Sequence, residues 1–305
     1  MTTLPVERDA ARSRRPRVLA ATWIALLILA LFAIVTVLLG FTARAAWAKE
    51  KSWASSWSER ERRSGQDFDW QGALKAGQTL EIFGISGSIR AQPASGREAR
   101  VHAEKTGRKS DPDDVKIEVE RTDEGVRICA RYPRPDGTLN DCDASQTTRN
   151  NDVAVDFRLE VPEGVHLEAS TVNGEVEIDG LSGDVRATTV NGGVDLSTTG
   201  EAEAQTVNGG IHARIGSTRW TGRLSFTTVN GSVVVTLPDG VDADLNASTV
   251  NGDISSDFAV SVTGRISARR IRGVIGKGGG GQISLSTVNG GIALRSGAKA
   301  ALKSR

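Results

Sequence analysis

The side chains of this sequence that could do chemistry are carboxylates, histidines, cysteines and arginines, and their spacing narrows what that chemistry is. Glu175, Glu177, Asp184, Asp195 and Asp253 would serve glycoside cleavage only if two of them faced one cleft, one as acid and the other as nucleophile or base. Their positions turn them outward singly, with no aromatic platform alongside, so they read as a solvated surface. His102, His166 and His212 lie far apart, and none has a nucleophilic Ser or Cys signature nearby. Lys277, followed by four glycines to Gly281, has the wrong order for a phosphate-binding loop and no hydroxyl residue after the lysine. A flexible loop is expected there. The Gly-Gly-x-Gly-x-Asp repeat of calcium-binding coils does not occur. Neither a catalytic residue nor a cofactor nor a metal site is expected, so the chain reads as a non-enzyme.

Two further sets remain. Cys129 and Cys142 are the only cysteines, and the loop between them is rich in turn formers. Either they are two free thiols or they form a disulfide, which is the expectation. On the loop-entropy argument it would stabilise by about 3 kcal/mol, and it would place this region in an oxidising compartment. Arg265, Arg269, Arg270 and Arg272 form a candidate ligand patch. Guanidinium groups could grip an acidic polymer or lipid headgroup bidentately, although a charge run can equally be a solvated face. The formal net charge of +1 gives no bulk attraction toward nucleic acid, which is not an expected partner.

The elements that must position these groups are announced by a repeat. Thr-Val-Asn-Gly begins at Thr171, Thr189, Thr206, Thr228, Thr249 and Thr287, in steps of 18, 17, 22, 21 and 38 residues. The long last step holds a degenerate copy, Arg270 to Gly273. A fixed period near 20 residues marks stacked coils. Alternate residues of a strand point to opposite faces, which turns Val172, Val176 and Ile178 inward and Thr171, Asn173, Glu175 and Glu177 outward. The same register recurs at Val190, Val207, Val229, Val250 and Val288. The motif glycine falls on the inward parity, where it suits a sharp bend or a close backbone approach. A weaker unit, Gly followed by apolar residues two and four positions on, alternates with the main one, as in Gly183, Val185 and Ala187. Each coil therefore holds two strands and two bends, and about six or seven coils are expected to stack in parallel. In register, Asn173, Asn191, Asn208, Asn230, Asn251 and Asn289 would form a hydrogen-bonded ladder. The six threonines would form an outward row beside it.

Ahead of the repeats lies a membrane signature. Val18 to Phe41 contains no charged residue, and as a helix this run spans about 36 Å, enough for a hydrocarbon core of roughly 30 Å. Five arginines precede it within residues 1–17. The positive-inside rule then puts the N-terminus in the cytoplasm and the rest outside. A cleaved signal peptide ending at Ala46-Trp47-Ala48 is the competing reading, but the apolar run exceeds a usual signal core. The expected organisation is a basic tail (1–17), a single transmembrane helix (18–43), a polar stalk (44–67), a β-rich cap (68–162), the β-solenoid (163–296) and a basic C-terminal tail (297–305).

The strand ending at Val161-Pro162-Glu163-Gly164-Val165, followed by repeated Thr-Val-Asn-Gly-x-Val/Ile, resembles the bacterial putative adhesin domain family, a β-helical domain of unknown function. Ile128-Cys129-Ala130-Arg131-Tyr132-Pro133 with Cys142 resembles its cysteine-containing subgroup. The resemblance covers about residues 68–295. It implies an all-β, parallel β-solenoid (a β-helix or β-roll) with an N-terminal β cap, tethered to the bacterial cytoplasmic membrane and exposed to the periplasm or cell exterior. The expected role is a binding, adhesin-like or envelope structural module whose partners are the membrane and an envelope polymer or protein. A sensor or modulator of envelope stress is the alternative; a polysaccharide-active enzyme is a third reading.

Overall fold

The computed structural model describes residues 62–142, 151–262, 267 and 269–297. The expected basic tail and membrane span, and most of the stalk and C-terminal tail, lie outside the described residues. Within them the only helix is one 3-10 turn, Pro112–Asp114, and no helix is long and apolar enough to cross a membrane.

The other regular elements are all strands. The first eight are β1 (Arg63–Ser64), β2 (Phe68–Ala73), β3 (Thr79–Phe83), β4 (Ile89–Pro93), β5 (Glu98–Gly107), β6 (Lys116–Thr122), β7 (Gly125–Arg131) and β8 (Ala154–Val161). The next eight are β9 (His166–Ser170), β10 (Val176–Leu181), β11 (Val185–Thr188), β12 (Val194–Thr198), β13 (Ala202–Gln205), β14 (Ile211–Ile215), β15 (Arg223–Thr227) and β16 (Val233–Leu237). The last six are β17 (Ala243–Asn251), β18 (Ile254–Ser256), β19 (Val260–Val262), β20 (Arg270–Ile275), β21 (Gly281–Asn289) and β22 (Ile292–Ser296).

From β8 to β18 successive strands alternate between two sheets, and the fold is all-β and solenoid-like. Sheet A runs β8-β4-β10-β12-β14-β16-β22-β18, and sheet B runs β7-β3-β9-β11-β13-β15-β21-β17, each pair parallel. One strand from each sheet makes a coil, and eight coils stack among the described residues. Their order in space is not their order in sequence. The β3/β4 coil sits between β7/β8 and β9/β10. At the other end β21/β22, last in sequence, sits between β15/β16 and β17/β18. Antiparallel strands finish both ends: β5 on β8, with β1 and β2 on β5, and β6 on β7; then β20 on β17 and β19 on β20.

Two expectations change here. The segment read as a cap, 68–162, contributes two of the parallel coils, and Ser86 takes the corner position that asparagine holds elsewhere, bridging Asn173. The segment read as a degenerate copy, Arg270 to Gly273, is not a coil but part of antiparallel β20.

Each Thr-Val-Asn-Gly forms the corner from a sheet B strand to a sheet A strand. Inward alternation resumes after it, at buried Val176 and Ile178, Val194 and Leu196, Ile211 and Ala213, and Val233 and Val235. Parity does not run through the corner, however, and this reverses the expected roles of threonine and valine. The six threonines are buried. Their hydroxyls donate to the glycine carbonyl of the adjacent coil, as Thr206 does to Gly192, Thr228 to Gly209, Thr287 to Gly231 and Thr249 to Gly290. Threonine thus satisfies a corner carbonyl that would otherwise be buried without a donor. The motif valines fall on the outer side instead. Val172 is buried, but Val207, Val288 and Val250 are 37%, 39% and 54% exposed. The motif glycine answers to close approach: a Cβ on Gly209 would overlap the Gly192 carbonyl oxygen, and the clash recurs up the row.

Candidate functional site

The asparagines stand outside the corner threonines and form a single row. Asn191 Nδ2 donates to Asn173 Oδ1, Asn208 to Asn191, Asn230 to Asn208, Asn289 to Asn230 and Asn251 to Asn289, each at 2.8 Å. Asn289 precedes Asn251 because the last coil is inserted. Each interior amide spends a donor and an acceptor on its neighbours, which makes the row a coil-to-coil clamp. Cys129 and Cys142 form a disulfide with a Cα–Cα distance of 5.7 Å. The bridge fastens the long excursion between β7 and β8. The buried Tyr132 hydroxyl donates to the Val153 carbonyl in the same region, and burial pushes its phenol pKa up.

Among the described residues, three of the surface grooves gather charged side chains on the outer faces of the two sheets. On sheet A, toward the N-terminal end, a cavity of about 700 Å³ is lined by Arg90, Arg100, His102 and Arg158 among others. Every guanidinium there has a carboxylate partner. Arg90 meets Glu177 at 2.8 Å, Arg100 meets Glu160 at 3.3 Å, and Arg158 meets Glu104 at 2.6 Å. His102 Nδ1 lies 2.8 Å from Asp69; that hydrogen bond raises the imidazole pKa, and the Arg158 bond lowers that of Glu104. Glu177 and Asp195 are register partners, so these carboxylates are closer than their sequence positions implied. Each is held by its own arginine, Asp195 by Arg214 at 2.8 Å.

On sheet B, a groove of about 270 Å³ collects Glu168, Asp184, Glu201 and Glu203. Three of these carboxylates hold the fold. Asp184 accepts the Glu201 N–H at 2.8 Å, Glu201 accepts the Gly222 N–H at 2.7 Å, and Glu203 pairs with Arg186 at 2.9 Å. Burial raises the Glu168 pKa. Of the histidines, His166 accepts the Asp184 N–H through Nδ1 at 3.0 Å, and His212 lies on the outer face of β14 beside Asp195.

The third groove is built differently. It lies on the outer face of sheet B at the C-terminal end, has a volume of about 440 Å³, and is lined by Arg223, Asp244, Asn246, Arg272, Gln282 and Ser284 with neighbouring backbone. Arg223, Gln282 and Asp244 stand in one cross-strand row. Ser225, Ser284, Asn246 and Arg272 stand in the next. The guanidiniums are held by neutral amides: Arg223 Nη2 donates to Gln282 Oε1 at 3.1 Å and Arg272 Nε to Asn246 Oδ1 at 3.4 Å. Among the described residues no carboxylate pairs with Arg223, Arg270 or Arg272. Of the four patch arginines, Arg270 and Arg272 share the outer face of β20 and Arg269 is exposed at the turn before it. Arg265 lies outside the described residues. Arg223, Asn246, Gln282 and Ser284 escaped the sequence reading, because only the out-of-order coil brings them together.

A two-sheet stack with a threonine, asparagine and glycine corner repeated up one edge defines a class of solenoid-like β domain. The chain belongs to the Toastrack DUF4097 family, whose model matches residues 138–295. Among solved structures it is similar to a putative cell adhesion protein from Clostridium sporogenes ATCC 15579, at 11% identity and a TM-score of 0.46, over 76% of this chain and 100% of that one. It is also similar to a putative adhesin from Bacteroides fragilis NCTC 9343, at 12% identity and a TM-score of 0.35, over 75% of this chain and 97% of that one. Comparison with curated proteins returned no match.

Proposed function

We propose that this chain is a non-enzymatic, adhesin-like binding module of the bacterial cell envelope. A single helix at 18–43 anchors it in the cytoplasmic membrane, with the N-terminus inside and the solenoid in the periplasm or outside the cell. The observation that carries the binding reading is the third groove, where Arg223 and Arg272 are oriented by amides and, among the described residues, make no ion pair with a carboxylate. The anchor rests on the uncharged run from Val18 to Phe41, and the outside location on the disulfide, which persists in oxidising compartments. Three of the four carboxylates of the acidic groove are occupied by backbone N–H groups and arginine, which leaves Glu168 without a second free carboxylate beside it and favours binding over cleavage.

The test is to express the tagged full-length chain in a bacterial host, cross-link intact cells and identify what co-purifies from the membrane fraction. The expected result is protection of the N-terminal tail from external protease, accessibility of the solenoid, and repeated recovery of one envelope polymer or protein. A solenoid protected with the cytoplasm, or recovery of the chain alone, would contradict the proposal.

A further inference from the structure

We infer that the groove between Arg223 and Arg272 binds a linear acidic polysaccharide, one whose sugars carry carboxylates. This rests on the binding reading above and gives it a ligand class. The first reason is charge. Arg223 and Arg272 line the groove against Asp244, the one acid among its described lining, and Arg270 stands one row further along β20, so this stretch of the sheet carries net positive charge that an anionic chain would neutralise, even though Arg223 also borders the neighbouring groove of Glu201 and Glu203. The second is orientation. Gln282 and Asn246 fix the two guanidiniums through neutral acceptors, which leaves their remaining N–H groups free for a bidentate grip on a carboxylate. The third is what lies between. Arg223 and Arg272 are three strands apart in sheet order, β15-β21-β17-β20, which is about 14 Å at the usual strand spacing. That interval is filled by Gln282, Ser284 and Asn246, groups suited to the hydroxyls of a sugar chain. The adjoining row adds Thr227, Ser286 and Ser248 leading to Arg270. A lipid surface would call for an apolar or aromatic rim; a bare phosphate polymer would leave the hydroxyl and amide rows without partners.

The experiment titrates full-length protein, in detergent, with oligogalacturonides, in parallel with polyphosphate and with anionic phospholipid vesicles. Oligogalacturonide should bind, with an affinity that falls as salt rises. Arg223→Gln and Arg272→Gln should each weaken it about tenfold or more. Asp244→Asn should strengthen it a few-fold, and Arg90→Gln, in the charge-paired groove, should leave it unchanged. Unaltered thermal melting of the four variants would show that binding and not folding changed. Wild-type-like binding by both arginine variants would overturn the inference, as would absence of oligogalacturonide binding, or tighter binding of polyphosphate or vesicles at the same arginines. If the cross-linked envelope partner is still recovered while the arginine variants behave as wild type, the groove assignment fails and the binding module stands. Loss of the partner together with loss of oligogalacturonide binding in those variants supports both.

Discussion

The two ends of the stack use one topological device for different purposes. At each end a coil is inserted one place out of sequence and antiparallel strands finish the sheets. The N-terminal end is locked: a disulfide ties the β7–β8 excursion, and the arginines of its groove are all neutralised by carboxylates. At the C-terminal end, insertion of β21 between β15 and β17 places Gln282 and Ser284 between Arg223 and Arg272, and those arginines have only amide partners. Charge pairing thus separates an end built for closure from an end that offers a surface, although both grow from the same corner motif.

The largest effect is expected where the inserted coil is gripped. Val233 is fully buried on β16 and in register with Ile292 of β22. Val233→Asp would bury an unpaired charge costing several kcal/mol, so the C-terminal end should lose hydrogen-exchange protection while β3 and β4 keep most of theirs. An unchanged melting temperature would refute the inward placement. Next in size is reduction of the disulfide, worth about 3 kcal/mol on the loop-entropy argument. It should expose β6, β7 and the 132–142 excursion to exchange and spare β17 to β22; uniform loss would erase the contrast between the ends. Thr228→Val leaves the Gly209 carbonyl without its hydroxyl donor and should cost about 1–2 kcal/mol, as should Thr171→Val at the other end, where Gly87 loses its donor. The equality of the two, measured by chemical denaturation, would confirm that the corner is the common unit.

The smallest effect is one of pH. His102 is raised above its ordinary 6.5 chiefly by the Asp69 hydrogen bond, with Glu104 and Asp67 adding to it and burial opposing. A raised folded-state value means that the stabilisation is fully present below the unfolded value and is lost as pH rises through the folded one. The β2–β5 pairing should therefore loosen slightly as pH rises from 6.5 through the raised folded-state value, and His102→Gln should flatten that dependence. A C-terminal end that showed the same pH response would remove His102 as its cause.

Much of the fold was legible because the period-two runs are long. Val153 to Val161 reads as a strand, and Val176 with Ile178 and their equivalents read as core. The row of asparagines followed from the recurrence of one motif at a period near 20 residues. Two things were not legible. Alternation counted through the corners placed Val207 and Val250 inside and Thr206 and Thr249 outside, the reverse of what the corner's hydrogen bonding requires. The order of the coils was hidden because identical corners are interchangeable: Thr287 can donate to Gly231 as well as any other copy could. The candidate site was half visible, as an arginine run at 269–272. Its other half, Arg223 with Gln282 and Asn246, comes from three separate coils and becomes a site only once β21 is seated between β15 and β17.

That seating is open to direct test by cysteine cross-linking in the asparagine row. Adjacent strands lie about 4.8 Å apart, within reach of a disulfide, whereas next-but-one strands at about 9.6 Å are beyond its Cα–Cα limit of about 7 Å. Full-length protein carrying Asn230→Cys with Asn289→Cys should cross-link on mild oxidation, and Asn230→Cys with Asn251→Cys should not. Cross-linking of the second pair and not the first would place the coils in sequence order and dismantle the arginine groove with them.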